Sequence, residues 1–594
     1  MIIQNRLVKV MHTRLVMKKQ TRFLMKMQTR LMMINKHVYN PINLKVISGL
    51  LITALLLWIP LLTVGQSHRE WTHNLGMYEV NIRQYTEEGT FAAFEEHLDR
   101  LEEMGVGILW LMPIHPIGEE NRLGSLGSYY SVKDYRGINP EFGTLEDFER
   151  LVGEIHDRGM YVMLDWVPNH TSWDNYLTEE HPEWYMTDDE GNFVPPPGTN
   201  WSDVIQLDHS RQGLLDYMID AMLFWVEEFD VVGFRYDAVS HVLEDDFLED
   251  LNSALKDVKP DLFLLAEHDD TKWHDLGFDM SFGWGLYGFG HGVLKRVADG
   301  TGNAHDLHDY MTSELNHFPS DAYRLYFTSN HDENSWEGTT NELFGDASEL
   351  FAVLTGTIHG MPLIYSGQEA GLDKSLAFFE KDLIPWRDHP KEEIYTTLLH
   401  LKRENRALWN GEMGGAPQRV PTSNDDDVFA FTRTKEGDQV LVLYNLSDGE
   451  QTVTLKAASD YTGQYREVFT DEIANITGGE TFTLSSWGYR VYERIGEPTG
   501  AVYEDHPESC VLHQNYPNPF NPVTTISYEI PVSAHVELGI YNVVGQRVAS
   551  VIDARLDAGR HLVNFDASQL SSGTYVLRMK VANHSLTRKI TLVK

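Results

Sequence analysis

Cysteine is almost absent from this chain of 594 residues: Cys510 stands alone. That excludes an internal disulfide framework and a cysteine-type zinc site. Basic residues are also scarce. The chain carries 48 Lys and Arg against 88 Asp and Glu, a formal net charge of -40. Acidic residues are missing altogether from the first 66 positions, which hold ten Lys and Arg, so the remainder sits near −50. Such a body repels nucleic-acid phosphates and anionic lipid, and a polyanion-binding role is disfavoured. Finally, no glycine-rich phosphate loop follows the first β-type run, which argues against an open, doubly wound nucleotide-binding sheet.

One long apolar run is present, VISGLLITALLLWIPLLTV at 46–64, preceded by Lys36 and Lys45 and followed by GQS. This is the layout of a secretory signal peptide, with a retained membrane anchor as the rival because the run is nearly long enough to span a bilayer. Pro60 and the absence of positive charge after the run favour cleavage, hence no stable membrane insertion after processing. Upstream, HTRLVMKK, QTRFLMKM and QTRLMM repeat every eight residues as low-complexity sequence. Residues 1–66 are therefore set apart as a basic leader and signal peptide.

From residue 77 onward, β-type runs alternate with helical stretches. MYEVNIRQY, GVGILWLMPI, YVMLDWV, VVGFRYDAV, LFLLAEH, RLYFTSNHD and PLIYSGQE read as buried strands, with a weaker one at FDMSFG. Amphipathic segments such as FAAFEEHLDRLEEMG and TLEDFERLVGEIHDRGM lie between them, the second opening on a capping pattern of Thr144 and Asp147. Eight strands with intervening helices over 67–405 predict a (β/α)8 TIM barrel. A Pro-, Trp- and Asp-rich excursion at 171–206 predicts a small inserted subdomain. Short alternating strands over 406–496 predict an all-β sandwich. A linker at 497–510 leads to a second β-sandwich at 511–594.

Charged residues cluster where the barrel strands end. In VVGFRYDAVSH, Arg235 and Asp237 lie two positions apart and so share a strand face. DWVPNH places Asp165, Asn169 and His170 at another end, LLAEHDD supplies Glu267, and FTSNHDEN supplies His331 and Asp332. The C-terminal strand ends of such a barrel line its active site. Burying several carboxylates together costs several kcal/mol each unless they are paired, so packing alone would not gather them. Paired carboxylates suit glycosidic bond cleavage, one attacking the anomeric carbon and the other protonating the leaving oxygen. On this reading Arg235 keeps the attacking Asp237 ionised by lowering its pKa. Glu267, after apolar FLLA and beside negative charge, would retain its proton.

These dispersed segments, in this order and spacing, resemble the α-amylase family of glycoside hydrolases over roughly residues 72–495. GVGILWLMPIHP, SYYSVKDYRGINPEFGTLEDF and GMPLIYSGQE support the resemblance. It implies Asp237 as nucleophile, Glu267 as general acid/base and Asp332 as stabiliser of an oxocarbenium-like transition state. It also implies Arg235, His170 and His331 as hydrogen-bond partners of the nucleophile or the sugar. Tyr130 would stack beneath that sugar, and Asp165 would support the site structurally. Asn169, Asp208 and the backbone oxygen of His241 match positions that hold a structural calcium in many relatives, although three ligands fall short of calcium's usual six to eight. Trp201 and the other aromatics of the excursion would stack on glucose or pack within the subdomain.

Departures bear on substrate. Ser240 stands where amylases of the family often carry lysine, and Gln206 stands where many members carry an aspartate. The DWVPNHTS form also occurs in enzymes acting on short oligosaccharides. Hydrolysis of α-1,4-glucans or malto-oligosaccharides is the leading expectation, with α-glucosidase, α-1,6 cleavage and glucanotransferase activity left open. The tail, with NYPNPFNPVTTISYEIP, VELGIYNVVGQRV and AGRHLVNFDASQLSSGTYVLRM, resembles the C-terminal sorting domain of the type IX secretion system. That resemblance implies secretion machinery as a partner and a secreted or cell-surface destination. A non-catalytic glucan-binding protein on the same fold is the opposing class; loss of one of the three carboxylates would favour it, and none is lost.

Overall fold

The computed structural model describes residues 70–594 apart from 289–291, 457–460, 497–509 and, near the C-terminus, 514, 516–517, 531–533, 543–545, 557–558 and 582–583. The expected leader and signal peptide, and nearly all of the expected linker, lie outside the described residues. Among the described residues no helix is long and apolar enough to cross a membrane.

Eight parallel strands close into a barrel in the order β1-β8-β7-β6-β5-β4-β3-β2. They are β1 (Met77–Val80), β2 (Ile108–Leu111), β3 (Tyr161–Trp166), β4 (Gly233–Tyr236), β5 (Phe263–Ala266), β6 (Met280–Phe282), β7 (Tyr323–Tyr326) and β8 (Met361–Tyr365). All eight expected strands are present, each shorter than its apolar run. MYEVNIRQY leaves the sheet after Val80 and continues as a helical turn, Ile82–Tyr85. The strands are buried nearly throughout, which is why they read as continuous apolar runs instead of alternating ones.

The helix Leu145–Asp157 starts where expected: Thr144 accepts from the Asp147 amide while Asp147 accepts from the Thr144 amide, a reciprocal cap. Its buried face, Phe148, Leu151, Val152 and Ile155, packs on the barrel. Each such side chain contributes about 1.5–3 kcal/mol when fully buried. The segment FAAFEEHLDRLEEMG, by contrast, breaks into two helices, Phe91–Glu95 and Leu98–Met104. The excursion after β3 opens and closes as an antiparallel pair, His170–Ser172 with Val204–Gln206.

Beyond the helix Lys391–Glu404 comes a six-stranded antiparallel sheet facing a two-stranded one, with Leu441, Leu443, Val453 and Tyr465 between them. Its other face shares a core with the barrel, where Phe429, Phe431, Val442 and Tyr444 pack in one cluster with Leu350, Phe351 and Leu354. Arg433 is wholly buried there. Its guanidinium donates to the carbonyls of Gly415 (2.7 Å), Thr357 (3.1 Å), Ile358 (2.8 Å) and Trp409 (2.9 Å). Burial pushes its pKa down to about 9. The tail forms a three-stranded and a four-stranded sheet around a core of its own, including Ile526, Leu538 and Leu577.

Candidate active site

The strand register sets up the site. Asp165 on β3 lies directly opposite Arg235 on β4, and Arg235 opposite Leu265 on β5. β4 approaches β5 closely at Gly233, where a Cβ would fall 2.1 Å from the Phe263 carbonyl oxygen. The ladder runs one residue past the strands: the Asp237 amide donates to Trp166 O (2.8 Å) and the Glu267 amide to Tyr236 O (3.2 Å). Both acids are thereby fixed at strand ends. Ala238 then turns left-handed, φ 47°, a conformation that non-glycine residues adopt at a cost. The turn aims its N–H at Glu267 Oε2, 2.7 Å away.

Arg235 is completely buried and serves three carboxylates. It donates to Asp165 Oδ1 (2.8 Å) and Asp237 Oδ1 (3.1 Å) and lies 2.7 Å from Glu267 Oε1. Tyr130 donates to Asp165 Oδ2 (3.0 Å), as does the Trp110 indole (3.2 Å). On the far side, His331 sits between Glu79 (2.5 Å) and Asp332 (3.3 Å), with Nε2 also 2.7 Å from the Tyr130 hydroxyl. Asp237, Glu267, Asp332, Tyr130 and His170 line one cavity of about 550 Å³, whose rim adds Trp201, Trp336, Phe378 and Phe379. Arg235, His331 and Asp165 are buried behind these side chains, bonded to Asp237, Asp332 and Tyr130, and the aromatic rim offers ring faces suited to sugar stacking. Trp336 is 58% exposed and packs on Phe378 at 5.3 Å between ring centroids.

The electrostatics depart from expectation at one point. Arg235 does not hold Asp237 below the ordinary aspartate range. Burial pushes that carboxyl well above 3.8, and Arg235 is outweighed once Glu267, Asp165 and Asp332 add their charge. The physical reason is burial first and sharing second: the carboxyl is cut off from water, and one guanidinium must offset three carboxylates. Asp165 is likewise raised by burial, to about 6, against the pull of Arg235 and His331. Burial also opposes charge on His331, but Asp332 and Glu79 override it and keep the ring an imidazolium at neutral pH. In return, and against its own desolvation, Asp332 is held below the ordinary range by His331. Burial pushes His170 down to about 3, so it is a neutral ring, placed by a 3.0 Å bond from the Asn169 amide.

Glu79 escaped the sequence reading. Its signal was a lone carboxylate in the apolar strand MYEV, the same anomaly that marked Arg235 and Asp237. Trp336 and Phe378 gave no such signal, because an aromatic in a loop reads as ordinary packing.

The expected calcium ligands are placed differently. Asn169 Oδ1 accepts from the Gln206 amide (2.9 Å). Asp208 accepts from the Ser210 hydroxyl (2.6 Å) and from Arg211 (2.6 Å). The His241 ring lies 5.1 Å from that of Trp201. The side-chain oxygens of Asn169 and Asp208 are thus spent on protein donors, and among the described residues no group of three or more His, Cys, Asp or Glu could hold a metal ion. The residues present do not fit calcium.

Comparison with known proteins gives the family of the fold. The family model for the alpha amylase catalytic domain matches residues 72–205 and 198–436, more than half of the chain. A maltogenic amylase C-terminal domain matches 418–491, and a secretion system C-terminal sorting domain matches 514–593. Alpha-amylase MalA of Haloarcula japonica is 27% identical over 430 residues, covering 68% of this chain and 61% of the relative's own length. Maltogenic alpha-amylase of Bacillus acidopullulyticus is 24% identical, covering 67% of this chain and 69% of its own. Among solved structures, the maltogenic alpha-amylase AmyB from Thermotoga neapolitana superposes with a TM-score of 0.64 at 28% identity, over 71% of this chain and 99% of its own. An alpha-amylase from Lactobacillus plantarum gives 0.61 at 30% identity, with coverage of 71% and 99%. The chain belongs to the α-amylase family of glycoside hydrolases and ends in a type IX secretion sorting domain.

Proposed function

We propose that this chain is an exported, retaining hydrolase of α-1,4-glucosidic bonds in starch-like glucans or malto-oligosaccharides. One observation carries the reading: carboxyl groups from the ends of β4, β5 and β7 meet in a single aromatic-rimmed cavity around a buried guanidinium. Asp237 attacks the anomeric carbon from one face, the glycosidic bond breaks, and a glycosyl-aspartate forms. Glu267 gives its proton to the leaving oxygen and then takes one from the water that resolves the intermediate, so two inversions restore the configuration. Asp165 and Asp237, both raised by burial and by crowding around Arg235, favour keeping a proton within the cluster. Asp332 stabilises positive charge developing on the ring, and Tyr130 packs beneath it. The sorting domain and the apolar run at 46–64 together support export.

The names of the relatives support α-glucans as substrate, and one of them, a cyclomaltodextrin glucanotransferase of Bacillus at 25% identity, supports keeping transfer as the second reading. Incubation with soluble starch, maltotriose, pullulan and dextran, followed by chromatography of the products, tests both. Linear malto-oligosaccharides of retained α configuration are expected. Products longer than the maltotriose supplied would mean transfer, and no release from any glucan would end the proposal.

Glu79 has an expected effect of its own. Glu79→Gln removes one of the two anions that keep His331 charged, so the imidazolium pKa falls toward 6.5. The alkaline limb of the kcat/KM profile should then move to lower pH, with kcat reduced about tenfold at neutral pH. An unshifted limb would show that Glu79 serves packing alone.

A further inference from the structure

The loop that follows β3 carries Asn169 and His170 into the cavity, and what fixes it is the buried side chain of Gln206. Its amide nitrogen lies 3.0 Å from Asn169 O, 2.9 Å from Asn169 Oδ1 and 3.0 Å from Leu207 O. Gln206 and Asn169 are both fully buried. Three oxygens aimed at one point form a negative pocket of the kind a hard cation fills. Here a neutral N–H₂ group fills it. The orientation carries a cost, because Gln206 Oε1 is left buried without a hydrogen-bond partner. The amide holds that orientation because three acceptors outweigh one.

A second neutral side chain completes the fastening. His209 is buried, and its ring spans two loops: Nε2 lies 3.1 Å from Pro168 O, and the Leu243 amide donates to Nδ1 at 3.3 Å. Both bonds require the neutral ring with its proton on Nε2. The loop after β3 is thus tied to the loop after β4, which carries Asp237 and His241.

We propose that Gln206 stands in for a cation: its amide occupies the oxygen pocket that would otherwise bind calcium, and with His209 it fixes the active-site loops without metal. The proposal does not depend on which sugar is cleaved, and its test reads stability instead of turnover. Tryptophan fluorescence is suitable because residues 511–594 contain no tryptophan and stay silent. The melting temperature of the full chain should be the same, within a degree, in millimolar EDTA and in millimolar calcium chloride. Gln206→Asp places a carboxylate against three oxygens while the shorter side chain leaves room for an ion. That variant should melt about 5 °C lower in EDTA and recover most of the loss with calcium, with one calcium bound by titration calorimetry. A wild-type chain that loses several degrees in EDTA and regains them with calcium would overturn the proposal, whether or not the variant folds. So would a folded Gln206→Asp chain indifferent to calcium.

Discussion

Asp237→Asn should lower kcat by roughly 10,000-fold or more while leaving the melting temperature at neutral pH unchanged or higher. The loss follows from the chemistry, since an amide cannot form the glycosyl intermediate. The stability follows from the pKa. Asp237 is raised well above its ordinary value by burial and by its acidic neighbours. A carboxyl of that kind favours the folded state below the unfolded pKa and opposes it progressively as pH rises through the folded one. By pH 7 that stabilisation is reduced, and asparagine, which never ionises, escapes the penalty while its Oδ1 still accepts from Arg235. Activity and stability pull in opposite directions at this residue. Single-turnover kinetics on maltotriose with a thermal melt checks both halves. Near-normal turnover would refute the nucleophile, and a steep fall in melting temperature would refute the charge argument.

Arg235→Met should cost about 3–5 kcal/mol of stability at pH 7 and abolish measurable turnover, the largest structural penalty expected of any one change in this charged cluster. Methionine is similar in length and apolar, so cavity creation is a minor term. What is lost is the shared counter-ion of Asp165, Asp237 and Glu267. Asp165 and Asp237, already raised, would titrate at still higher pH in the folded state, so the folded form is favoured as they take up protons. The deficit relative to wild type should accordingly shrink between pH 7 and pH 5. Urea unfolding at both pH values measures this. A deficit that is absent, or identical at the two, would mean that the carboxylates are neutralised by some other route.

How much of this was legible before folding is best seen residue by residue. The barrel could be read because each parallel strand is buried on both faces and appears as an unbroken apolar run. Asp165, Arg235, Asp237, Glu267 and Asp332 could be read because a charge at the end of such a run has no packing explanation. Strand bounds were overrun, as at Val80, because apolar residues continue past the sheet into loops that are themselves buried. The direction of the Asp237 shift was missed for a different reason. Sequence shows that an arginine lies two residues away, but neither how completely the carboxyl is cut off from water nor that two further carboxylates compete for the guanidinium. The same limit hid the fate of the expected calcium ligands, since Asn169 and Asp208 are the right residue types already bonded to the wrong partners.

Arg433 has one more consequence. Four peptide groups, three of them contributed from before residue 411, spend their lone pairs on a side chain that enters from the sheet behind the barrel. Cutting the polypeptide at 405 would leave Thr357 and Ile358 with stranded carbonyls and would bare the aromatic wall they border. The catalytic barrel is thus not a detachable cartridge: whatever shortens, swaps or transplants this enzyme has to carry the downstream sandwich along with it.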